Sequence, residues 1–372
     1  MFGPQSPLVL ILLVAGFVGL TCLVVRGRPL WSRLLASTGT FVIAAVFGMA
    51  IVNKYYDYYQ TWGDLYDDLT GRQPGVSALP PAGHGALRIL RQDRATGERA
   101  KKGLLLDMML AGRQSGISRY GLVYLPPEYF WRPYATARFP VVELLNGSPG
   151  MPSDWERMLH TSEVFRRLLH DRKAAPAVLV AADVNGGPTS LGQQCLDVPG
   201  GLRDDTYLSK DVPRALLASL RVQRPGPHWA IAGYSEGGFC AANLALRHPG
   251  SYGAAGVMSG YFQPLPRQGA DLFRGDARAR LANDPLWLAE GPRRPRPFPA
   301  FWLMAGRSDR GDVVAARTFK SVVDRREPGV PLVLVPHAGH TFAAWIPALP
   351  KLLGWATHRI AVPWPPGGGQ VR

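Results

Sequence analysis

The sequence predicts an α/β protein: a mostly parallel sheet with helices on both faces, preceded by two transmembrane helices. Three observations carry that expectation. Short apolar runs and helical runs alternate between residues 139 and 335 with brief connections, the pattern of strands joined by crossover helices. At the centre stands Ile231-Ala232-Gly233-Tyr234-Ser235-Glu236-Gly237-Gly238, a strand that ends in G-x-S-x-G and runs into a helical stretch from Phe239 to Arg247. Finally, two uncharged apolar runs, residues 7–25 and 34–52, open the 372-residue chain.

As helices the two opening runs are each about 28 Å long, close to the hydrocarbon thickness of a bilayer. Arg26, Arg28 and Arg33 lie between them with no acid, so the positive-inside rule places this loop in the cytoplasm and everything after Asn53 outside. Asp57, Asp64, Asp67 and Asp68 follow, interleaved with Tyr55, Tyr56, Tyr58, Tyr59 and Trp62 as in an interfacial aromatic belt. The first run has no basic residue before it and no A-x-A exit, which favours two retained spans over a cleaved signal peptide. Ala36, Thr40, Ala44 and Gly48 form a small-residue stripe on the second helix that suits close helix packing.

The chain therefore divides into a membrane anchor (1–54), a juxtamembrane segment and Pro/Gly-rich linker (55–85), an α/β domain (86–358) and a tail (359–372) expected to be disordered. A net charge of +15 suits an anionic membrane or wall surface. No basic run with interleaved aromatics and no nucleic-acid motif is present, so nucleic acid is not expected as a partner. Cys22 lies in a span. Cys195 and Cys240 either pair in an oxidising compartment or leave Cys240 buried as a thiol on the helix after Ser235.

Within the α/β domain, 86–90, 103–109 and 118–125 read as opening antiparallel strands. Residues 139–145 form a continuous apolar strand interrupted by Glu143, as in a sheet buried on both faces. A helix over 156–169, a strand over 177–182 and a helix over 210–220 lead to the central strand. Strands at 254–258, 301–305 and 332–335 follow. Between 263 and 299 the pattern breaks into Pro, Arg and short apolar pieces, an irregular insert that reads as a lid or a surface excursion.

The G-x-S-x-G turn is a nucleophile elbow, and its partners follow in the order Ser, acid, His. Ser235 is the nucleophile and His340, just past the last strand, its base. The acid is expected at Asp309 after strand 301–305, with Asp312 in reserve as an N-cap or helix-dipole partner for a helix from Val313. The oxyanion donors are the amides of Glu236, which follows the nucleophile, and Ser148, in the turn after strand 139–145. There is no H-E-x-x-H, no metal-ligand spacing and no Gly-rich phosphate loop, so no metal or cofactor is expected.

Val123-Tyr124-Leu125-Pro126-Pro127, Leu144-Leu145-Asn146-Gly147 with Trp155 after it, Thr206-Tyr207-Leu208, the elbow with His248-Pro249 and Met258-Ser259-Gly260, and Gly339-His340 with Trp345 together carry a resemblance. They resemble the esterase family of α/β-hydrolases that includes esterase D-like enzymes, enterochelin esterases and mycolyltransferases. The resemblance implies the α/β-hydrolase fold, Ser235, Asp309 and His340 as catalytic residues, and the amides of Ser148 and Glu236 as oxyanion donors. Asn146, Trp155 and Tyr234 are expected on the substrate side. The implied activity is a serine-dependent carboxylic ester hydrolase or acyltransferase acting on an envelope or extracellular ester, with a lipid or glycan as acceptor where transfer occurs. Asn146 stands where many esterases have His. The turn 148–153 also lacks the arginine of the mycolyltransferases, and the acid is Asp rather than their Glu.

Overall fold

The computed structural model describes residues 3, 4, 6–26, 29–56, 62, 65, 66, 77, 78, 97–184, 186, 194–266, 271–291 and 295–363. The strand expected at 86–90, the belt residues Tyr58 and Tyr59 with their neighbouring acids, and the tail from 364 lie outside the described residues. So do most of the linker and parts of the 263–299 insert. Two compact units are present, one built on the N-terminal helices and one on the sheet.

The first unit holds α1 (Pro7–Val25) and α2 (Leu30–Tyr56), both long and apolar enough to cross a membrane. Helix α1 starts at Pro7 behind an N-cap, Ser6, whose Oγ accepts from the Val9 amide at 3.4 Å. At its other end Arg33 donates from Nε to the Val24 carbonyl at 3.0 Å, using a cation to satisfy a carbonyl that the helix leaves open. The second helix begins four residues earlier than the apolar run. Its packed face also departs from the expected stripe. A Cβ on Gly39 would stand 2.9 Å from Leu20 Cδ1 and one on Gly16 3.0 Å from Ile43 Cδ1, whereas Gly48 faces open space. The face is thus Ala36, Gly39 and Ile43, because contact follows the 3.6-residue turn rather than a strict four-residue step.

The second unit is a nine-stranded sheet, counted among the described residues, of strands β1 (Ser77–Ala78), β2 (Leu104–Ala111), β3 (Ser118–Leu125), β4 (Val141–Leu145), β5 (Val178–Ala182), β6 (Gly226–Tyr234), β7 (Tyr252–Met258), β8 (Ala300–Gly306) and β9 (Leu332–Val335). Their spatial order is β1-β2-β3-β5-β4-β6-β7-β8-β9. β3 is antiparallel to β2 and β5, and every pairing from β5 to β9 is parallel. The two-residue β1, parallel to β2, falls inside the stretch read as linker. All five residues of β4 and of β5 are buried, which is why these strands are apolar on consecutive positions instead of alternating.

Helices cover both faces. They are α3 (Asp154–Arg157), α4 (Thr161–His170), α5 (Val212–Ser219), α6 (Glu236–Arg247), α7 (Ala277–Leu281), α8 (Pro285–Glu290), α9 (Arg310–Val323) and α10 (Phe342–Arg359). Leu216 of α5, Phe239 of α6 and Phe319 of α9 share one core with Val180, Ile231 and Leu303 of the sheet. On the opposite face Phe165 of α4 meets Tyr124 edge-on, and Leu352 of α10 fills the space that a side chain at Gly256 would need.

Two expectations need correction, and one alternative left open by the sequence is decided. The single helix over 156–169 is broken: His160 takes φ 48°, Thr161 donates through Oγ1 to the Trp155 carbonyl, and the Glu156 carboxylate accepts from Ser162 N and Oγ. These side chain to backbone bonds compete with the helical ladder and restart it at Thr161. The insert is not irregular throughout, since α7 and α8 are capped by Asp276 and Asp284 and α8 carries Pro285 at its first turn. The two candidate cysteines are joined: a Cys195–Cys240 disulfide, Cα–Cα 5.7 Å, ties the segment before α5 to α6.

Glu143, in the middle of β4, is fully buried. The Tyr252 hydroxyl donates to its Oε2 at 3.0 Å, yet burial pushes its pKa up to about 8. Because the folded state holds this proton until about pH 8 while an unfolded chain releases it near its ordinary 4.5, Glu143 makes stability fall as pH rises through that window. Glu143→Gln keeps the neutral hydrogen-bonding group at every pH. It is expected to match wild type near pH 4.5 and to be roughly 2–4 kcal/mol more stable at pH 8, read from denaturation midpoints of the full chain in detergent at both pH values. An equal gain at both pH values would mean that the carboxyl does not titrate in this window.

Candidate active site

The site grows from the carboxyl ends of β4, β6 and β8, where parallel α/β sheets open a crevice. Strand β6 ends at Tyr234, and Ser235 turns the chain with φ 55° and ψ −122°, a conformation that costs an L-residue energy and persists where packing over-determines it. Here the packing is close. A Cβ on Gly237 would meet the Leu145 and Asn146 carbonyls, and one on Gly233 would land on Gly237 itself. The Ser235 amide donates to Met258 O at 2.9 Å, and Gly238 and Phe239 donate back to Ser235 O at 3.0 and 3.2 Å, so the bend is closed on both sides.

The histidine reaches the serine from the β9 side. Arg307 N donates to Val335 O at 2.8 Å and Ser308 N to Ala338 O at 2.9 Å, zipping the turn after β8 to the turn after β9. Gly306 allows this approach, since a Cβ there would strike the Ala338 and Gly339 carbonyls. His340 Nε2 then lies 2.8 Å from Ser235 Oγ, and its Nδ1 lies 2.8 Å from Asp312 Oδ2. A carboxylate only accepts, so Nδ1 carries the proton and Nε2 presents a lone pair to the serine hydroxyl. Trp345 stands edge-on to the imidazole with ring centres 5.5 Å apart. Desolvation pulls the His340 pKa down, but the hydrogen bond and charge of Asp312, with the charge of Asp309 behind it, more than offset this, and the pKa is raised.

The carboxylate on Nδ1 is therefore Asp312 and not the expected Asp309. Helix α9 begins at Arg310, three residues earlier than expected, which makes Asp309 its N-cap: Asp309 Oδ1 accepts from the Asp312 amide at 3.0 Å. The two aspartates have exchanged the roles expected of them. His337, with φ 57°, is exposed beside the strand end. Asp309, Asp312 and His340 also bring three potential metal-ligand atoms within 4.8 Å of one another. Each of those groups already has a hydrogen-bond partner: Asp309 caps the helix at the Asp312 amide, Asp312 holds His340 Nδ1, and His340 Nε2 faces Ser235.

The turn after β4 lies directly against Ser235. A Cβ on Gly147 would be 3.1 Å from Ser235 Cβ and 3.0 Å from Tyr234 Cε2, which puts the Gly147–Ser148 peptide at the serine. Glu236, first residue of α6, is buried. The three residues expected on the substrate side are buried too: Asn146, Trp155 and Tyr234 are 0%, 1% and 3% exposed. They offer no surface to a substrate. Tyr234 is instead packed between Trp155 and Trp345, with ring centres 5.3 and 4.5 Å away, and its hydroxyl donates to Asp154 Oδ2 at 3.3 Å. The same carboxylate oxygen accepts from Met151 N at 2.9 Å, so Asp154, which the sequence did not single out, holds the far end of the 147–151 turn.

Sheet order, elbow and strand-end loops together define an α/β-hydrolase. The family model described as "Putative esterase" matches residues 116–356, and the chain belongs to this family of ester-cleaving hydrolases. Among relatives, an uncharacterized protein of Corynebacterium glutamicum is 26% identical over 367 residues, covering 94% of this chain and 82% of its own. The MPT51/MPB51 antigen of Mycobacterium bovis is 43% identical over 65 residues, which span 18% of this chain and 21% of that one. Among solved structures, a ferulic acid esterase superposes with a TM-score of 0.60 at 21% identity, covering 70% of this chain and 99% of its own. An S-formylglutathione hydrolase from Agrobacterium tumefaciens gives 0.58 at 17%, covering 70% and 97%. These likenesses place the fold.

Proposed function

We propose that the protein is a serine-dependent carboxylic ester hydrolase or acyltransferase working through an acyl-enzyme on Ser235. The single observation that carries this reading is the imidazole of His340 within 2.8 Å of both Ser235 Oγ and Asp312 Oδ2. As Oγ attacks the ester carbonyl, His340 Nε2 takes its proton, and the amides of Ser148 and Glu236 receive the developing oxyanion. Collapse breaks the ester bond, and the imidazolium returns the proton to the departing alkoxide. Water or an acceptor alcohol then repeats the sequence in reverse. Asp312 holds the Nδ1–H tautomer and stabilises the imidazolium while it exists.

Two helices long and apolar enough to cross a membrane support an anchor, and the arginines between them support an extracytoplasmic α/β unit by the positive-inside rule. The Cys195–Cys240 disulfide supports an oxidising compartment. The substrate is accordingly an ester at or near the envelope, and transfer to a lipid or sugar hydroxyl is the alternative fate of the acyl group. The test is fluorophosphonate labelling of the full chain in detergent, together with turnover of p-nitrophenyl esters compared with peptide amides. Stoichiometric labelling at one serine and preference for esters are expected. Folded protein that neither labels nor turns over short acyl esters would leave a non-catalytic member of the fold as the better reading.

A further inference from the structure

Asn146 directly follows β4, the strand beside the elbow strand, and its side chain is fully buried. Its Nδ2 donates to the carbonyl of the next residue, Gly147, at 3.0 Å, and its Oδ1 meets no partner among the described residues. An amide buried for packing alone is poorly suited to such a place, where an apolar side chain leaves no acceptor unsatisfied. What the asparagine supplies that leucine cannot is its Nδ2–H bond to Gly147 O.

That bond acts on a peptide of consequence. The Gly147–Ser148 bond is trans, so its C=O and N–H point in opposite directions. Tying the oxygen to Asn146 Nδ2 fixes the orientation of the peptide plane and with it the direction of the Ser148 N–H, which leaves from the opposite edge. The plane cannot drift toward the elbow, because Gly147 is already at Ser235 and Tyr234, and the Asn146 carbonyl is wedged where a side chain on Gly237 would be. At the far end of the turn, Asp154 fixes Met151 N. At the near end, Asn146 Nδ2 holds Gly147 O.

We propose that Asn146 is a positioning residue that orients the Ser148 amide as oxyanion donor. This rests on the reading of Ser235 as nucleophile, and it replaces the expectation that Asn146 touches substrate. Misaiming a donor by a fraction of an ångström acts on the transition state and leaves ground-state binding alone.

The test is Asn146→Ala and the nearly isosteric Asn146→Asp in the full chain, with Asn146→His as a donor-retaining variant. Rates are normalised to the fraction of sites that a fluorophosphonate titrates. For p-nitrophenyl butyrate, kcat is expected to fall about 10- to 100-fold in the Ala and Asp variants with KM within about threefold. The inhibition constant of butylboronic acid, whose tetrahedral adduct carries the oxyanion, should rise by the same factor, and the His variant should recover most of the loss. A folded Ala or Asp variant with unchanged kcat overturns the proposal. So does a loss confined to KM with boronate affinity intact, which would make Asn146 a ground-state contact. If Asn146→Ala does not fold, Asn146→Asp carries the same reading. Ser235→Ala on the same substrate separates the two levels: turnover surviving there removes the nucleophile assignment itself, whatever Asn146 does.

Discussion

Replacing Ser235 by Ala is expected to lower kcat/KM for a p-nitrophenyl ester by about 10⁴- to 10⁶-fold and to abolish fluorophosphonate labelling, with the thermal midpoint nearly unchanged. The size of the loss follows from the chemistry: without Oγ there is no covalent intermediate, and what remains is binding and oxyanion stabilisation of direct water attack. The unchanged stability follows from the backbone. Ala keeps a Cβ at the same φ of 55°, so the strain of the elbow and the contacts that hold it are retained. Ser235→Gly makes the complementary test, since it is equally inactive but relieves the strain and should raise the midpoint. The measurement is steady-state turnover at high enzyme concentration beside a melting curve. A residual rate within tenfold of wild type in folded Ser235→Ala would move the nucleophile elsewhere.

Much of this molecule can be read from its residues, for reasons that differ from part to part. The strands β4, β5 and β8 are legible because a sheet buried on both faces needs consecutive apolar residues, and Val141–Leu145 or Ala300–Gly306 can be little else. The elbow is legible because its glycines are forced by backbone contact: at Gly237 even one carbon would strike Leu145 O. Helix termini are harder. The assignment of Asp309 and Asp312 turned on where α9 begins, and the signal was present as an Asp followed three residues later by another Asp. In such a pair the first carboxylate caps the N3 amide and the second, sitting at N3, is left for other partners. Burial of individual polar side chains is the least legible. Trp155 and Tyr234 sit beside motif residues in the sequence, yet the fold buries both and packs their rings against each other. The break at His160 depends on Thr161 and Glu156 finding partners across a turn, which periodicity does not encode.

Asp312→Asn is expected to cost about 10³- to 10⁴-fold in kcat/KM, while Asp309→Asn costs less than about tenfold. The contrast tests the exchange of roles directly. In the first variant the new side-chain amide can offer an N–H to Nδ1, which favours the tautomer that carries its proton on Nε2 and so has no lone pair for Ser235. In the second, the α9 amide is still capped, because asparagine is as good an N-cap as aspartate. The pH dependence gives an independent sign. Catalysis needs neutral His340, so activity falls as pH drops through its pKa, and in wild type that pKa is raised. Desolvation is the largest influence and acts downward, and the upward ones come mainly from Asp312 and secondarily from Asp309. Removing the Asp312 charge leaves desolvation opposed by Asp309 alone, so the acid limb of kcat/KM should move to lower pH even as the plateau falls. Asp309→Asn should move it in the same direction by less. A full pH–rate profile of both variants checks this. If Asp309→Asn proved the more damaging and Asp312→Asn left the limb in place, the imidazole would be held by Asp309 in the working enzyme, and the hydrogen bond to Asp312 would not belong to the catalytic state.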